Sequence, residues 1–286
     1  MIRKTLTLAA ALLALALPAA PALADPLAKD VFGGQRAPSR GQPLAIGGYS
    51  RGCAAGSVQL PETGPTWQAM RLSRNRNWGH PQLVDFIVDL SRQATRFGWP
   101  GIYVGDMSQP RGGPMLTGHA SHQMGLDADI WMLPPSSLRL SPAQRESLSS
   151  QSVVARGGVA PSPLWSASHH ALLRAAASDP RVARVFVDPV AKVMMCQSER
   201  GNRGYLRKIR PIASHDYHFH VRLACTNQGC EDQAAPPPGD GCDEAAQWIR
   251  DRIDPPPAPP PNPEYRHPRT YRLSELPRAC QALVTR

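Results

Sequence analysis

No Cys-x2-Cys pair occurs in the chain, so the usual cysteine knuckle for a structural zinc is missing. There is no His-Glu-x-x-His, which excludes the helix that carries two zinc ligands and a base in one large class of metalloproteases. Ser-x-x-Lys and Lys-Thr-Gly are absent too, and with them a whole class of serine acyl-transfer enzymes. Beyond Leu17 no stretch approaches the ~20 apolar residues that a membrane-crossing helix requires. No nucleic-acid-binding motif accompanies the basic residues, so a nucleic acid partner is not expected.

What is present begins with an export signal. Arg3 and Lys4 precede an apolar run from Leu6 to Leu17, and Ala22-Leu23-Ala24 forms a small-x-small cleavage site before Asp25. Residues 1–24 therefore read as a secretory signal peptide cleaved after Ala24, leaving residues 25–286 as a soluble exported protein. Losing Arg3 and Lys4 takes the formal net charge from +10 to +8, and most remaining basic residues are arginines. That excess suits a polyanionic partner such as a cell wall or an anionic membrane, and suits equally a merely arginine-rich composition. The six cysteines are even in number and exported, so three disulfides are expected. Spacing alone singles out only Cys225 with Cys230.

Residues 25–59 are rich in Gly, Pro and Ala and read as an ordered but irregular arm anchored at Cys53. Leu83, Val84, Phe86, Ile87, Leu90 and Ala94 then repeat at helical spacing, with Pro81 suited to the first turn and Gly98 to the stop. Gly101–Val104 reads as a strand, followed by a loop from Asp106 to Pro114 in which Gly112 and Gly113 leave room beside Arg111 for a substrate backbone. Arg111 could pair with a substrate carboxylate, or be an exposed turn residue. Pro134–Gly158 reads as an exposed excursion with one helical turn and no chemistry. A helix opens at Trp165 and runs through Ala177. Val182–Val187 is a buried strand, and a short helix spans Pro189–Met195. Polyproline connectors surround a last helix at Glu244–Arg252, and about 231–286 reads as a tail held to a single domain.

Five of the nine histidines fall in two short clusters, His119 with His122 and His215 with His218 and His220. In His218–Leu223 polar and apolar residues alternate, so a strand would present His218, His220 and Arg222 on one face and bury Phe219, Val221 and Leu223. Leu126, Ala128 and Ile130 alternate with Asp127, Asp129 and Trp131 in the same way. A turn at Gly125 can fold His122 back beside Asp129. Two imidazoles and a carboxylate are a known catalytic zinc set with one open position, and His122, Asp129 and His220 would supply it. His218 is the natural base and His215 its orienting neighbour or an oxyanion donor. His119 has three open roles: ligand, substrate contact, or support for a ligand.

The pattern His-x6-Asp followed far downstream by His-x-His resembles the zinc peptidase superfamily of lysostaphin-type enzymes, D-Ala-D-Ala metallopeptidases and the hedgehog amino-terminal domain. More closely, Arg71–Pro81, Tyr103–Met115, Gly118–Asp129 and His218–Arg222 resemble the penicillin-insensitive murein endopeptidases of Gram-negative periplasms, over about Cys53 to Cys280. The resemblance implies an α+β fold like that superfamily's, with a small, mainly antiparallel sheet flanked by helices and irregular, disulfide-strapped termini. It implies bridges Cys53–Cys280 and Cys196–Cys242, a second metal near His169 in the Trp165-x3-His setting, and His218 off the metal. Ser166 stands where an acidic residue would be expected for that second metal. The implied reaction is hydrolysis of the D-alanyl to meso-diaminopimelyl cross-link of periplasmic peptidoglycan, with Zn2+ acidifying the attacking water. A D,D-carboxypeptidase, a D-Ala-D-Ala dipeptidase and a non-catalytic zinc-stabilised wall-binding protein are the alternatives.

Overall fold

In the computed structural model, which describes residues 25–225 and 227–285, the two alternating stretches are neighbours in the middle of a six-stranded sheet. The expected signal peptide, residues 1–24, lies outside the described residues.

Along the chain, α1 (Ala28–Gly33) precedes an antiparallel hairpin of β1 (Leu44–Gly48) and β2 (Arg51–Ala55), so the arm expected to be irregular carries regular structure. Short strands β3 (Val58–Gln59), β4 (Trp67–Ala69) and β5 (Trp78–Gly79) lead to α2 (Pro81–Arg96). The His80 side chain accepts from the Gln82 amide and Pro81 occupies the first turn, which starts α2 where the sequence placed it. Then follow β6 (Ile102–Val104), β7 (Asp127–Trp131) and α3 (Pro142–Ser147). The next elements are α4 (Ala167–Ser178), β8 (Val182–Val187), α5 (Pro189–Ser198), β9 (Ile209–Pro211) and β10 (His218–Leu223). The chain closes with α6 (Cys242–Ile253) and α7 (Arg278–Val284).

The sheet order is β4-β6-β7-β10-β8-β9, antiparallel at its three inner junctions and parallel at the two outer ones. One face is apolar. Phe219, Val221 and Leu223 join Ala128 and Ile130 in a core completed by Leu83, Phe86, Ile87 and Leu90 of α2 and Leu172 and Leu173 of α4. Each large side chain buried there is worth about 1.5–3 kcal/mol, which fixes which face of β7 and β10 turns inward. The other face of the same two strands is left to Asp127, Asp129, His218, His220 and Arg222.

A second, smaller core gathers Ala28, Phe32, Cys53, Leu276 and Cys280 where the two ends of the chain meet. Cys53 bonds Cys280 across a sequence separation of 227 residues. Cys196 bonds Cys242, joining α5 to α6, and Cys225 bonds Cys230. All three pairings are those expected. Among the described residues no helix is long and apolar enough to cross a membrane.

Closing so long a loop is worth about 5 kcal/mol in the chain-entropy description, an upper figure. A Cys53→Ala, Cys280→Ala variant should therefore lose roughly 2–5 kcal/mol of stability in denaturant melts. Limited proteolysis should then cut residues 25–40 and 270–285 first, while β7 and β10 stay protected.

Candidate metal centre and cleft

β10 and β7 are in antiparallel register with His220 opposite Asp129, Arg222 opposite Asp127 and His218 opposite Trp131. The third contributor arrives through a turn. His122 has φ of 65°, a left-handed conformation unfavourable for a residue with a β-carbon, and its amide donates to Asp127 Oδ2 at 2.9 Å. The reversal, continued through Gly125 at φ 72°, returns the His122 ring to Asp129 as the spacing predicted.

Four groups converge. His122 Nε2 and His220 Nδ1 each lie 3.3 Å from Asp129 Oδ1 and 3.1 Å from one another, and His119 Nδ1 lies 3.6 Å from Asp129 Oδ2. Ligand atoms around a tetrahedral zinc, at bonds of about 2.0–2.1 Å, sit roughly 3.3 Å apart, so the spacing fits such an ion. His119, His122 and Asp129 could hold a metal, their donor atoms lying within 4.8 Å of one another. Asp129 Oδ1 is buried and accepts no hydrogen bond, an arrangement that suits a carboxylate facing a cation.

Partners outside the cluster set the ring orientations. His122 Nδ1 donates to the Met107 carbonyl at 2.8 Å, which leaves Nε2 bare toward Asp129. His119 Nε2 donates to Asp106 Oδ2 at 2.9 Å, which leaves Nδ1 bare. Such outer hydrogen bonds are the usual means of fixing a metal-binding imidazole. Asp106 also receives Arg76 at 2.8 Å and Arg74 at 3.0 Å. Burial would raise its pKa, but the hydrogen bond and charge of His119 and the two guanidiniums hold it well below the carboxylate range. Asp127 is treated alike, buried yet held low by Arg222, whose Nε donates to it at 2.8 Å. His220 Nε2 lies 3.0 Å from Asp127 Oδ1, outside hydrogen-bond alignment. Burial would lower the His220 pKa, but Asp127 and Asp129 outweigh it and raise it. His122, fully buried, is pushed down to about 4.

The centre forms the floor of an open cleft of about 710 Å³. His119, Asp129, His218 and His215 line it, with Arg71, Arg74, Tyr217, Ser149 and Ser150 on its walls. Ser149 and Ser150 belong to the excursion between Pro134 and Gly158, which contributes them to the cleft wall. His218 Nε2 is 3.6 Å from Asp129 Oδ1 while its Nδ1 is buried without a hydrogen-bond partner. Burial lowers its pKa. The His215 ring packs at 4.6 Å from that of His218, and its Nδ1 donates to the Ala213 carbonyl. Its pKa falls to about 4, again chiefly by burial.

Residues 45–285 match the family model described as penicillin-insensitive murein endopeptidase. The chain belongs to that family. It is 42% identical over 212 residues to the penicillin-insensitive murein endopeptidase of Haemophilus influenzae, 73% of this chain and 74% of the relative. It is 41% identical over 252 residues to that of Klebsiella pneumoniae, covering 86% and 88%. With the Citrobacter koseri protein it shares 40% over 281 residues, 96% and 97% of the two chains.

Two candidate site residues, Arg111 read from its flanking glycines and His169 from the family resemblance, are engaged elsewhere. Arg111, expected to meet substrate, lies outside the cleft and donates to the carbonyls of Ala37 and Leu283, tying both ends of the chain to the body. The glycines beside it make room for the chain itself: a β-carbon on Gly112 would sit 2.0 Å from the Gln123 carbonyl oxygen, and one on Gly113 2.2 Å from the Phe32 ring. His169, expected at a second metal, has both ring nitrogens engaged. Nδ1 accepts from Ser166 in a helix cap and Nε2 donates to the Met132 carbonyl at 2.7 Å. Ser166 thus caps α4 in the position where an acidic ligand was looked for. Asp106 and Asp127 were missed as supporting groups. Asp127 was legible, since an antiparallel pair that sets His220 against Asp129 must set Arg222 against Asp127; nothing in the spacing marks Asp106.

Replacing Asp106 by Asn should keep the fold but weaken divalent-metal binding roughly 10- to 100-fold, as loss of such outer partners usually does. Competitive metal titration beside circular dichroism checks this.

Proposed function

We propose that the protein is a zinc metallo-endopeptidase of the periplasm that hydrolyses the D-alanyl to meso-diaminopimelyl cross-link of peptidoglycan. The observation that carries the reading is the convergence of three imidazoles on the buried, unpartnered Oδ1 edge of Asp129 at the floor of an open cleft. Family membership supplies the substrate class. In this reading His122, Asp129 and His220 hold the zinc, with His119 as a further donor from the cleft side. Zinc there supplies Lewis acidity toward the scissile carbonyl and an acidified water as nucleophile.

The chain's own residues do the rest. His218 lies off the donor set but against it, and its lowered pKa keeps the ring neutral and able to take a proton at neutral pH. The same proton is then given to the leaving amine of diaminopimelate. His215, stacked on His218 and fixed by its bond to the Ala213 carbonyl, orients that ring. The inner wall, closed by the sheet, keeps His122 and His220 out of solvent so that substrate approaches only from the His119 and His218 side.

A muropeptide digest tests the reading. Cross-linked dimers should become monomers; release of free D-alanine alone would point to a carboxypeptidase, and binding without cleavage to a wall-binding protein. A chelator should abolish cleavage and zinc restore it, while a β-lactam has no effect. His218→Ala should retain zinc yet lose activity by about 10²- to 10⁴-fold, whereas His122→Ala and His220→Ala should lose both. Full activity in His218→Ala would remove the assigned base. Because protonation of a base switches it off and burial lowers its pKa, the acid limb of kcat/KM should lie below the ordinary histidine value of about 6.5.

A further inference from the structure

The wall of the cleft beside the metal centre is basic, and its three arginines are not equivalent. Arg76 is buried against Asp106 and Thr117, and Arg74 shares the same Asp106 oxygen. Both therefore belong to the support of His119. Arg71 does not. Its Nη2 donates to Ser149 Oγ at 2.9 Å, and it forms no ion pair among the described residues, its charge reaching Glu146 only at longer range. Most donors of its guanidinium fork are uncommitted and it lines the cleft. The backbone there is left-handed, φ 57° and ψ 46°, a conformation for which Gly or Asn is the usual residue. An arginine is held in that position by the fold, its amide donating to the Arg145 carbonyl.

The proposed substrate supplies a partner for such a group. On the amine side of a D-alanyl to meso-diaminopimelyl amide, the carbon bonded to the scissile nitrogen also carries a free carboxylate. We propose that Arg71 is the specificity-determining residue that pairs with this carboxylate, its planar fork matching the two oxygens while Ser149 holds the guanidinium from behind. The role the sequence suggested for Arg111 thus falls to an arginine on the opposite side of the motif, inside the cleft. This inference rests on the murein reading above.

The test compares a purified cross-linked muropeptide dimer with the same dimer amidated at that carboxyl, on the zinc-loaded protein for kinetics and on the chelator-stripped protein for binding by calorimetry. For the wild-type protein amidation should raise KM and the dissociation constant roughly tenfold or more, with a smaller change in kcat. Arg71→Gln should bind the free-carboxylate dimer no better than the amidated one, and Arg71→Lys should recover part of the preference because it restores charge without the fork. Equal handling of the two dimers by the wild-type protein overturns the inference, as does full discrimination in Arg71→Gln. If the wild-type protein neither binds nor cleaves any dimer, the murein reading itself fails and this inference falls with it, an outcome separate from cleavage without discrimination.

Discussion

Asp129 sits opposite His220 in the β7–β10 register, and almost everything else in the molecule is arranged so that this pair can be buried together. An ionised carboxylate taken out of water costs several kcal/mol unless charge and hydrogen bonds surround it. Here the surroundings are imidazoles on one side and, two residues away along the same strands, the Arg222 to Asp127 pair. The register delivers both at once: if β10 slipped by a single residue, His218, His220 and Arg222 would turn to the helical face and Phe219, Val221 and Leu223 would turn to the cleft.

The two faces of β7 and β10 are therefore one design seen from opposite sides. Phe219, Val221, Ala128 and Ile130 anchor the strands against α2 and α4, and that rigidity is what holds His218, His220 and Asp129 in place on the other face. Around them two acceptors, the Met107 carbonyl and the Asp106 carboxylate, select which nitrogen of His122 and of His119 faces inward. Asp106 in turn depends on Arg74 and Arg76. A chain of fixed charges thus runs from the cleft wall to the donor atoms, without any one of these arginines touching them.

The irregular parts of the chain serve the same end. Cys53–Cys280 and Arg111 fasten the first and last segments over the back of the hairpin, while Tyr49 from that hairpin donates to the Leu223 carbonyl at the end of β10 and lies under the Arg222 guanidinium, 4.1 Å from its ring centre. The ends brace the strand that carries the histidines. The loop from Pro134 to Gly158 does the complementary job on the open side, closing one wall of the cleft with Ser149 and Ser150.

Alternation and helical spacing are local properties, which is why β7, β10, α2, α4, β8 and the identity of His122, Asp129, His218 and His220 as one constellation could be read from the residues in order. The cysteine bridges beyond Cys225–Cys230 needed the family resemblance, since spacing does not choose among pairings. What no periodicity records is which polar groups meet across distant segments. His169 has the residue type and setting of a ligand, yet packing against Trp99 and Trp165 and hydrogen bonds at both nitrogens make it part of a helix cap and core. Arg111 and Arg71 are chemically identical side chains in equally glycine- or loop-rich surroundings, and only the folded chain sends one to the termini and the other to the cleft. The order of residues settled which atoms are available to hold a metal; the three-dimensional packing settled which of them are left with a free lone pair or an unpaired charge, because that depends on partners no periodicity pairs, 13 residues away for His119, 15 for His122 and 37 for His169.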